Sequence, residues 1–156
     1  MQISLIKSAI FLNSSEKEFS KLDIENQKNQ LNYIGNNLKK VLIISNHSIS
    51  ETNSNEHQLL INMLKAIKLN IDDVVIIEKS KNLNFKYLIR CFEIDTCLFF
   101  GIIPKDVHLN IVGHYYRVIP FHNRKILFAE DLKSISDKKD SKEAIWKNLK
   151  KLFPEK

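Results

Sequence analysis

The sequence predicts a three-layer α/β domain with a mainly parallel central sheet. Two short runs, Val41–Ile44 and Val74–Ile77, are rich in β-branched residues and apolar on both faces, which is typical of buried parallel strands. An amphipathic segment lies between them, so the region is predicted to fold as a right-handed strand–helix–strand unit. Alternation of strands and helices continues to the end of the chain, and this pattern predicts helices on both faces of one sheet.

The helix of this unit is predicted to begin after a polar loop at residues 45–55. Asn53 is the expected N-cap, because Glu56 follows three residues later and completes a capping pattern. The helix is expected to end near Leu69 and Asn70. Its apolar stripe consists of Leu59, Leu60, Met63, Leu64 and Ile67.

The second half of the chain carries the remaining predicted elements. They are a short helix at 83–92, strands at Thr96–Phe100, Tyr115–Ile119 and Lys125–Phe128, and a helix at 140–153. Gly101 closes the first of these strands, and His122-Asn123 is the expected turn between the other two. Pro120 has no backbone donor and therefore limits its strand to a sheet edge.

The domain is predicted to span residues 39–156, preceded by an arm of marginal structure at residues 1–38. Ile3, Ile6 and Ile10 have a spacing that suits one face of a helix. The stretch from Asn13 to Asn37 is polar, with few apolar residues. The apolar residues of the arm could either dock on a partner or pack on this protein's own core, and the sequence leaves both open.

The formal net charge of +6 is unevenly distributed along the chain. Residues 41–132 carry ten basic and ten acidic side chains, whereas residues 133–156 carry eight Lys against four acids. Arg, the usual reader of guanine edges and phosphates, occurs only three times. The pattern favours a solvated lysine face on the last helix over a nucleic-acid surface at Lys133–Lys151, which stays open as an alternative.

Cysteine and histidine usage predicts neither a metal site nor a cofactor. Cys91 and Cys97 stand in apolar surroundings, where a free thiol behaves as a small hydrophobe, so a reducing cytoplasm is the expected location. His108 and His114 lack the usual spacing of metal ligands. No apolar run is long enough to predict a membrane span, and the N-terminus has no signal-peptide pattern.

A catalytic constellation is also not predicted. Ligands of open α/β sheets bind beyond the carboxyl ends of the strands, which places the search at residues 45–55, 78–84, 101–110 and 129–136. Ser48 and Ser50 follow His47, but neither serine has the neighbouring glycine of a nucleophile elbow. Glu130-Asp131 could hold Mg²⁺, although an acidic pair before a helix is more often its electrostatic complement.

Two segments resemble the uracil-DNA glycosylase superfamily. Residues 56–69, with Val74–Ile77 after them, are similar to a helix–strand segment of those enzymes, and residues 142–149 are similar to their final helix. The resemblance implies a uracil-DNA glycosylase-like fold. The three positions of the family's chemistry correspond to the loop Ser45–Glu51, to Glu78 and to Asp131-Leu132, none of which keeps the family's catalytic motif.

The chain resembles the psi accessory subunits of bacterial DNA polymerase III over the same region. These subunits share the fold but do not catalyse base removal. Val41–Asn46, Leu60–Leu69 and Ala144-Ile145-Trp146 carry the similarity. It implies a non-catalytic subunit that bridges the clamp loader, through the chi subunit, to single-strand binding protein, with indirect or weak contact to DNA. The alternative is a divergent glycosylase in which Glu51 or Glu78 activates water. The arm residues expected to bind the partner are Ile3, Leu5, Ile6 and Ile10.

Overall fold

The computed structural model describes residues 21–48, 51–81 and 83–154. The chain divides into two compact units, one ending at Leu31 and the other beginning at Asn32. In the described part of the first unit, helix α1 spans Lys21–Asn29, with Asp23 in its first turn and Lys28 in its last. These charges complement the positive and negative ends of the helix dipole.

The second unit is built on one six-stranded sheet. In chain order the strands are β1 Tyr33–Ile34, β2 Val41–Ser45, β3 Val74–Glu78, β4 Thr96–Phe100, β5 Val118–Phe121 and β6 Arg124–Ala129. Their order across the sheet is β1-β3-β2-β4-β6-β5. The four inner strands are parallel, and both edge strands are antiparallel to their neighbours.

The sheet is therefore mixed, and the prediction of a mainly parallel sheet was wrong. At one edge, His122 and Asn123 join β5 to β6 with φ angles of 49° and 65°. A two-residue turn of this handedness connects only antiparallel strands. At the other edge, β1 has two residues, too few to produce a periodic pattern in the sequence.

Four helices pack with the sheet. They are α2 Asn55–Ala66, α3 Phe85–Cys91, α4 Leu132–Asp137 and α5 Lys139–Leu152, with 3₁₀ turns at Ile71–Asp73 and Pro104–Val107. The first helix begins one residue later than predicted. Ser54, and not Asn53, is its N-cap, and the Ser54 hydroxyl accepts a hydrogen bond from the backbone N–H of His57 at 3.1 Å.

The layers follow from the alternation of side chains along the inner strands. Leu98 and Phe100 of β4 belong to a buried cluster that includes residues of α2, α4 and α5. Phe99 points to the opposite face, where its ring lies 6.0 Å from that of Phe85 in α3 and 4.7 Å from that of Phe128. The molecule thus has helices on both faces of the sheet, as predicted.

Two further boundaries differ from those expected. Residues 32–38 were assigned to the N-terminal arm, but they contribute β1 and two backbone hydrogen bonds to residues 72–74, donated by Asn37 and Leu38. Tyr115 forms an isolated bridge with Phe128, and β5 itself begins only at Val118. None of the helices within the described residues has the length and apolar character needed to span a membrane.

Candidate functional site

The strand order identifies the carboxyl ends of β2 and β4 as the place to look for a site. The chain leaves β2 for β3 on one side, then crosses to β4 on the other side of β2. Loops that diverge in this way open a crevice at the carboxyl end of the sheet, and α/β proteins bind ligands there. The residues at this end are Asn46 and His47 after β2, and Gly101 after β4.

Ser45 and His47 form a hydrogen-bonded pair at the end of β2. Ser45 Oγ and His47 Nδ1 lie 2.6 Å apart, and the backbone N–H of His47 also donates to Ser45 Oγ at 3.2 Å. A nucleophile–base pair of His47 with Ser48 or Ser50 was not predicted from the sequence, and the structure pairs the imidazole with Ser45. It is fully buried, so a substrate has no access to its hydroxyl group.

The environment of His47 favours its neutral form. Burial lowers the pKa of the imidazole, and the nearby His57 lowers it further. The two rings are 6.4 Å apart. His47 Nε2 is buried and has no hydrogen-bond partner among the described residues. The pair is therefore a neutral polar group at the switch point.

Gly101 allows the ends of β2 and β4 to approach closely. Its φ angle is 72°, and a Cβ atom at this position would lie 2.6 Å from Asn46 Nδ2. The backbone N–H of Asn46 donates to the Phe100 carbonyl at 3.2 Å. A side chain at position 101 would therefore displace Asn46, which explains why glycine closes this strand.

A basic cleft lies at the same carboxyl end of the sheet, between the loops that follow β3 and β4. It has a volume of about 440 Å³, and its lining residues are Lys79, Ser80, Lys81, Lys105, Asp106 and His108. Lys79 Nζ lies 3.4 Å from Asp106 Oδ2. This cleft was not predicted from the sequence, because its lysines come from two separate loops. The dense Lys-Ser-Lys spacing after β3 was the available signal.

The positions aligned with glycosylase chemistry make contacts within the protein. Glu78 Oε1 accepts a hydrogen bond from Asn32 Nδ2 at 3.3 Å. Asp131 is the N-cap of α4, where its Oδ1 accepts from the Ser134 N–H at 2.8 Å. Glu51 is exposed in the loop after β2.

Glu130, the other half of the acidic pair, connects three parts of the chain. Its carboxylate accepts hydrogen bonds from Tyr116, from Ser141 and from Lys138, the first at 2.9 Å and the last at 3.0 Å. These donors, with Ser141 contributing most, hold the pKa of Glu130 below its ordinary value. Burial and the bond to Glu130 raise the pKa of Tyr116 to about 12.

The other predicted residues have mixed outcomes. Cys91 and Cys97 are buried free thiols, as expected, and burial raises the pKa of Cys97. Within residues 21–48, 51–81 and 83–154, no three His, Cys, Asp or Glu side chains are placed to share a metal ion. The predicted partner-binding residues lie outside the described part of the chain: Ile3, Leu5, Ile6 and Ile10.

No known protein family matches this chain, and no curated protein is significantly similar to it.

Proposed function

We propose that this protein is a non-catalytic subunit of a DNA polymerase III holoenzyme, of the psi type, which bridges the clamp loader to other replication proteins. It rests on the resemblance of about residues 40–150 to psi subunits, which share the uracil-DNA glycosylase-like fold. The observation that carries it is that Ser45 with His47, Glu78 and Asp131, at the three aligned positions, make contacts within the fold, whereas Glu51 of the first position is exposed. Such contacts favour a role in the fold for these side chains over a role in catalysis.

The first of these positions is the loop after β2. In a glycosylase of this type, this loop supplies an acid that activates water. In this protein it begins with the buried Ser45 hydroxyl group, which is bonded to the His47 imidazole at 2.6 Å. A neutral imidazole whose Nδ1 is engaged in this way supports the fold more directly than it supports water activation.

The second and third positions are occupied by carboxylates with structural partners. Glu78 is bonded through its side chain and its backbone to Asn32, next to strand β1. Asp131 accepts from the backbone and the hydroxyl group of Ser134, at 2.8 and 3.2 Å, and so begins α4. The second interaction satisfies a backbone N–H of the first turn of α4 that has no partner within the helix.

The test is affinity purification of the tagged full-length protein from its own cells, with nuclease present. Clamp-loader subunits are expected to co-purify, identified by mass spectrometry. Ile6→Asp combined with Ile10→Asp is expected to reduce their recovery by about tenfold, because a docking face of apolar side chains tolerates no buried charge. Val112→Asp is the matched control, since Val112 is 78% exposed and lies in the other unit.

Recovery of no replication protein with the unaltered chain would contradict the proposal. A uracil-release assay on the same preparation then tests the glycosylase alternative. Release of uracil from DNA, abolished by Glu51→Ala or by Glu78→Ala, would establish that alternative and identify the acid that activates water.

A further inference from the structure

We infer that the basic cleft between the loops after β3 and β4 binds the phosphate groups of a nucleotide or a single-stranded nucleic acid. The cleft was defined above by Lys79, Ser80, Lys81, Lys105, Asp106 and His108. This inference goes beyond the proposed bridging role, because it gives the protein a direct contact with a phosphate ester. It does not depend on that role, since a chain that binds no clamp loader could still have this site.

The framework of the cleft is fixed by the sheet. The backbone N–H of Lys79 donates to the Ser45 carbonyl at 2.8 Å, which continues the ladder between β2 and β3 to the start of the loop after β3. On the other side of β2, the loop after β4 turns back through the 3₁₀ turn Pro104–Val107. The two loops thus lie on either side of the central strand, where α/β sheets bind ligands.

The hydrogen bonds of Asp106 explain why a carboxylate occurs in a basic cleft. Its Oδ2 accepts a hydrogen bond from the backbone N–H of Ile103 at 2.9 Å, which holds the start of the 3₁₀ turn. The same oxygen lies 3.4 Å from Lys79 Nζ. Asp106 therefore orients Lys79 at the wall of the cleft and balances one of its three lysine charges.

The other two charges of the cleft are not balanced. Across the described ranges, no carboxylate lies within ion-pair distance of Lys81 or Lys105. Like charges that converge on a concave surface raise the local potential, and an anion that enters the cleft lowers it. Because both side chains are exposed, they can reorient around a ligand without breaking an existing contact.

The chemistry of the lining selects the ligand class. Lysine ammonium groups, a serine hydroxyl group and an imidazole donate to phosphate oxygens as point donors, without the planar fork that reads a base edge. A volume of about 440 Å³ is in the range of small-molecule and cofactor sites. We therefore expect binding that depends on phosphate and salt and has little dependence on base sequence.

The experiment measures binding of fluorescein-labelled oligothymidylate to the full-length protein by fluorescence anisotropy, across about 50 to 200 mM salt. The cleft variant is Lys81→Gln combined with Lys105→Gln. The matched control is Lys147→Gln combined with Lys151→Gln, two exposed positions on α5. Both double variants lower the net charge by two, so total charge is the same, and the control also tests the lysine face of the last helix.

The cleft variant is expected to bind about tenfold more weakly at low salt, and the control within about twofold of the unaltered protein. For each strand phosphate that the variant no longer neutralises, the slope of log K against log salt becomes shallower by about 0.7. Equal weakening in the two variants would show attraction by total charge and overturn the inference. An unaffected cleft variant would also overturn it, as would an unaltered protein that binds neither the oligonucleotide nor a nucleotide. Circular dichroism verifies folding, and the single variants Lys81→Gln and Lys105→Gln give a second measure of the same effect.

A parallel titration with deoxythymidine triphosphate, followed by calorimetry, distinguishes the source of the phosphate. Binding of the nucleotide that is abolished in the cleft variant identifies a nucleotide site. Binding of the oligonucleotide alone, with the same dependence on Lys81 and Lys105, identifies the backbone of a strand. Normal recovery of clamp-loader subunits by the cleft variant would show that this site and the bridging role are separate.

Discussion

The imidazole of His47 lies half-buried at the end of β2, with Nδ1 against the Ser45 hydroxyl group and a second imidazole nearby. Burial and the neighbouring His57 lower its pKa in the folded protein. In the unfolded chain the same group titrates near its ordinary pKa of 6.5. On acidification the unfolded state therefore binds this proton first, and the free energy of unfolding decreases.

We expect the free energy of unfolding to fall as the pH is lowered from about 7 through the ordinary histidine pKa of 6.5, and His47→Gln to reduce that fall. The measurement is urea denaturation at a series of pH values from about 7 downward. The quantity compared between the unaltered protein and the variant is the change in the free energy of unfolding with pH, not its value at one pH. His114→Gln, at an exposed position, is the control. Parallel curves for the unaltered protein and His47→Gln would contradict the assignment. Glu130, whose pKa is also lowered, contributes stability that disappears at lower pH, below about 4.5.

Single residues also show the limit of sequence reasoning about the site. Gly101 was correctly identified as the end of β4, because a glycine after an apolar run is a local signal. The pairing of His47 with Ser45 was not predicted, although the sequence placed both in one polar loop, because only a nucleophile–base pair with Ser48 or Ser50 was considered. The basic cleft depends on Lys79 and Lys105, which are far apart in sequence and are brought together only by the crossover connection.

At the scale of elements, Glu130 joins the end of β6 to the segment before β5 and to the last helix. Tyr116, Lys138 and Ser141 all donate to its carboxylate, and Ser141 is buried. Hydrogen bonds to a charged group are worth more than those between neutral groups. The carboxylate is therefore a connection between elements as well as a charge at the start of α4.

Glu130→Gln is expected to lower the free energy of unfolding by about 1–2 kcal/mol at neutral pH, because an amide has one acceptor oxygen where three donors converge. Chemical denaturation measures this change. Glu143→Gln, exposed on α5, should change stability by less than about 0.5 kcal/mol. A Glu130→Gln variant as stable as this control would show that the connection contributes nothing to stability.

The strands that were predicted most accurately are those with uninterrupted apolar runs. Val41–Ser45, Val74–Glu78 and Thr96–Phe100 are buried on both faces, so their apolar runs are continuous in the sequence. α4 was predicted as loop, because its six residues bury only Leu132 and Ile135. β1 was missed for a similar reason, since its position depends on contacts with β3 that are distant in sequence.

At the scale of the whole molecule, the structure assigns residues 32–38 to the unit that contains the sheet, whereas the sequence assigned them to the arm. Tyr33 and Ile34 pair with β3, and the Tyr33 ring lies 5.1 Å from that of Phe92. Gly35 has a φ angle of 101°, and a Cβ atom there would lie 2.1 Å from the Val74 carbonyl oxygen. This close packing makes the segment an integral part of the sheet's edge.

Two truncated chains test this boundary directly. A chain that begins at Asn32 is expected to unfold cooperatively, because it retains all six strands and the described core. A chain that begins at Lys39 is expected to be less stable by about 2 kcal/mol, because it lacks β1 and exposes the edge of β3. Urea denaturation followed by circular dichroism compares them. Equal stability of the two chains would place the boundary at residue 39 after all.

The two antiparallel edge strands have a consequence for how a partner can bind. Edge β1 is two residues long, and edge β5 contains Pro120, which lacks an amide hydrogen. Both margins therefore offer an incoming peptide few free amide and carbonyl groups for a continuing ladder. Donor-strand capture and edge-to-edge polymerisation are disfavoured on both sides. Within the unit that contains the sheet, recognition is left to side chains at the loop end of the sheet and on the outer faces of the helices, where it can be altered one residue at a time.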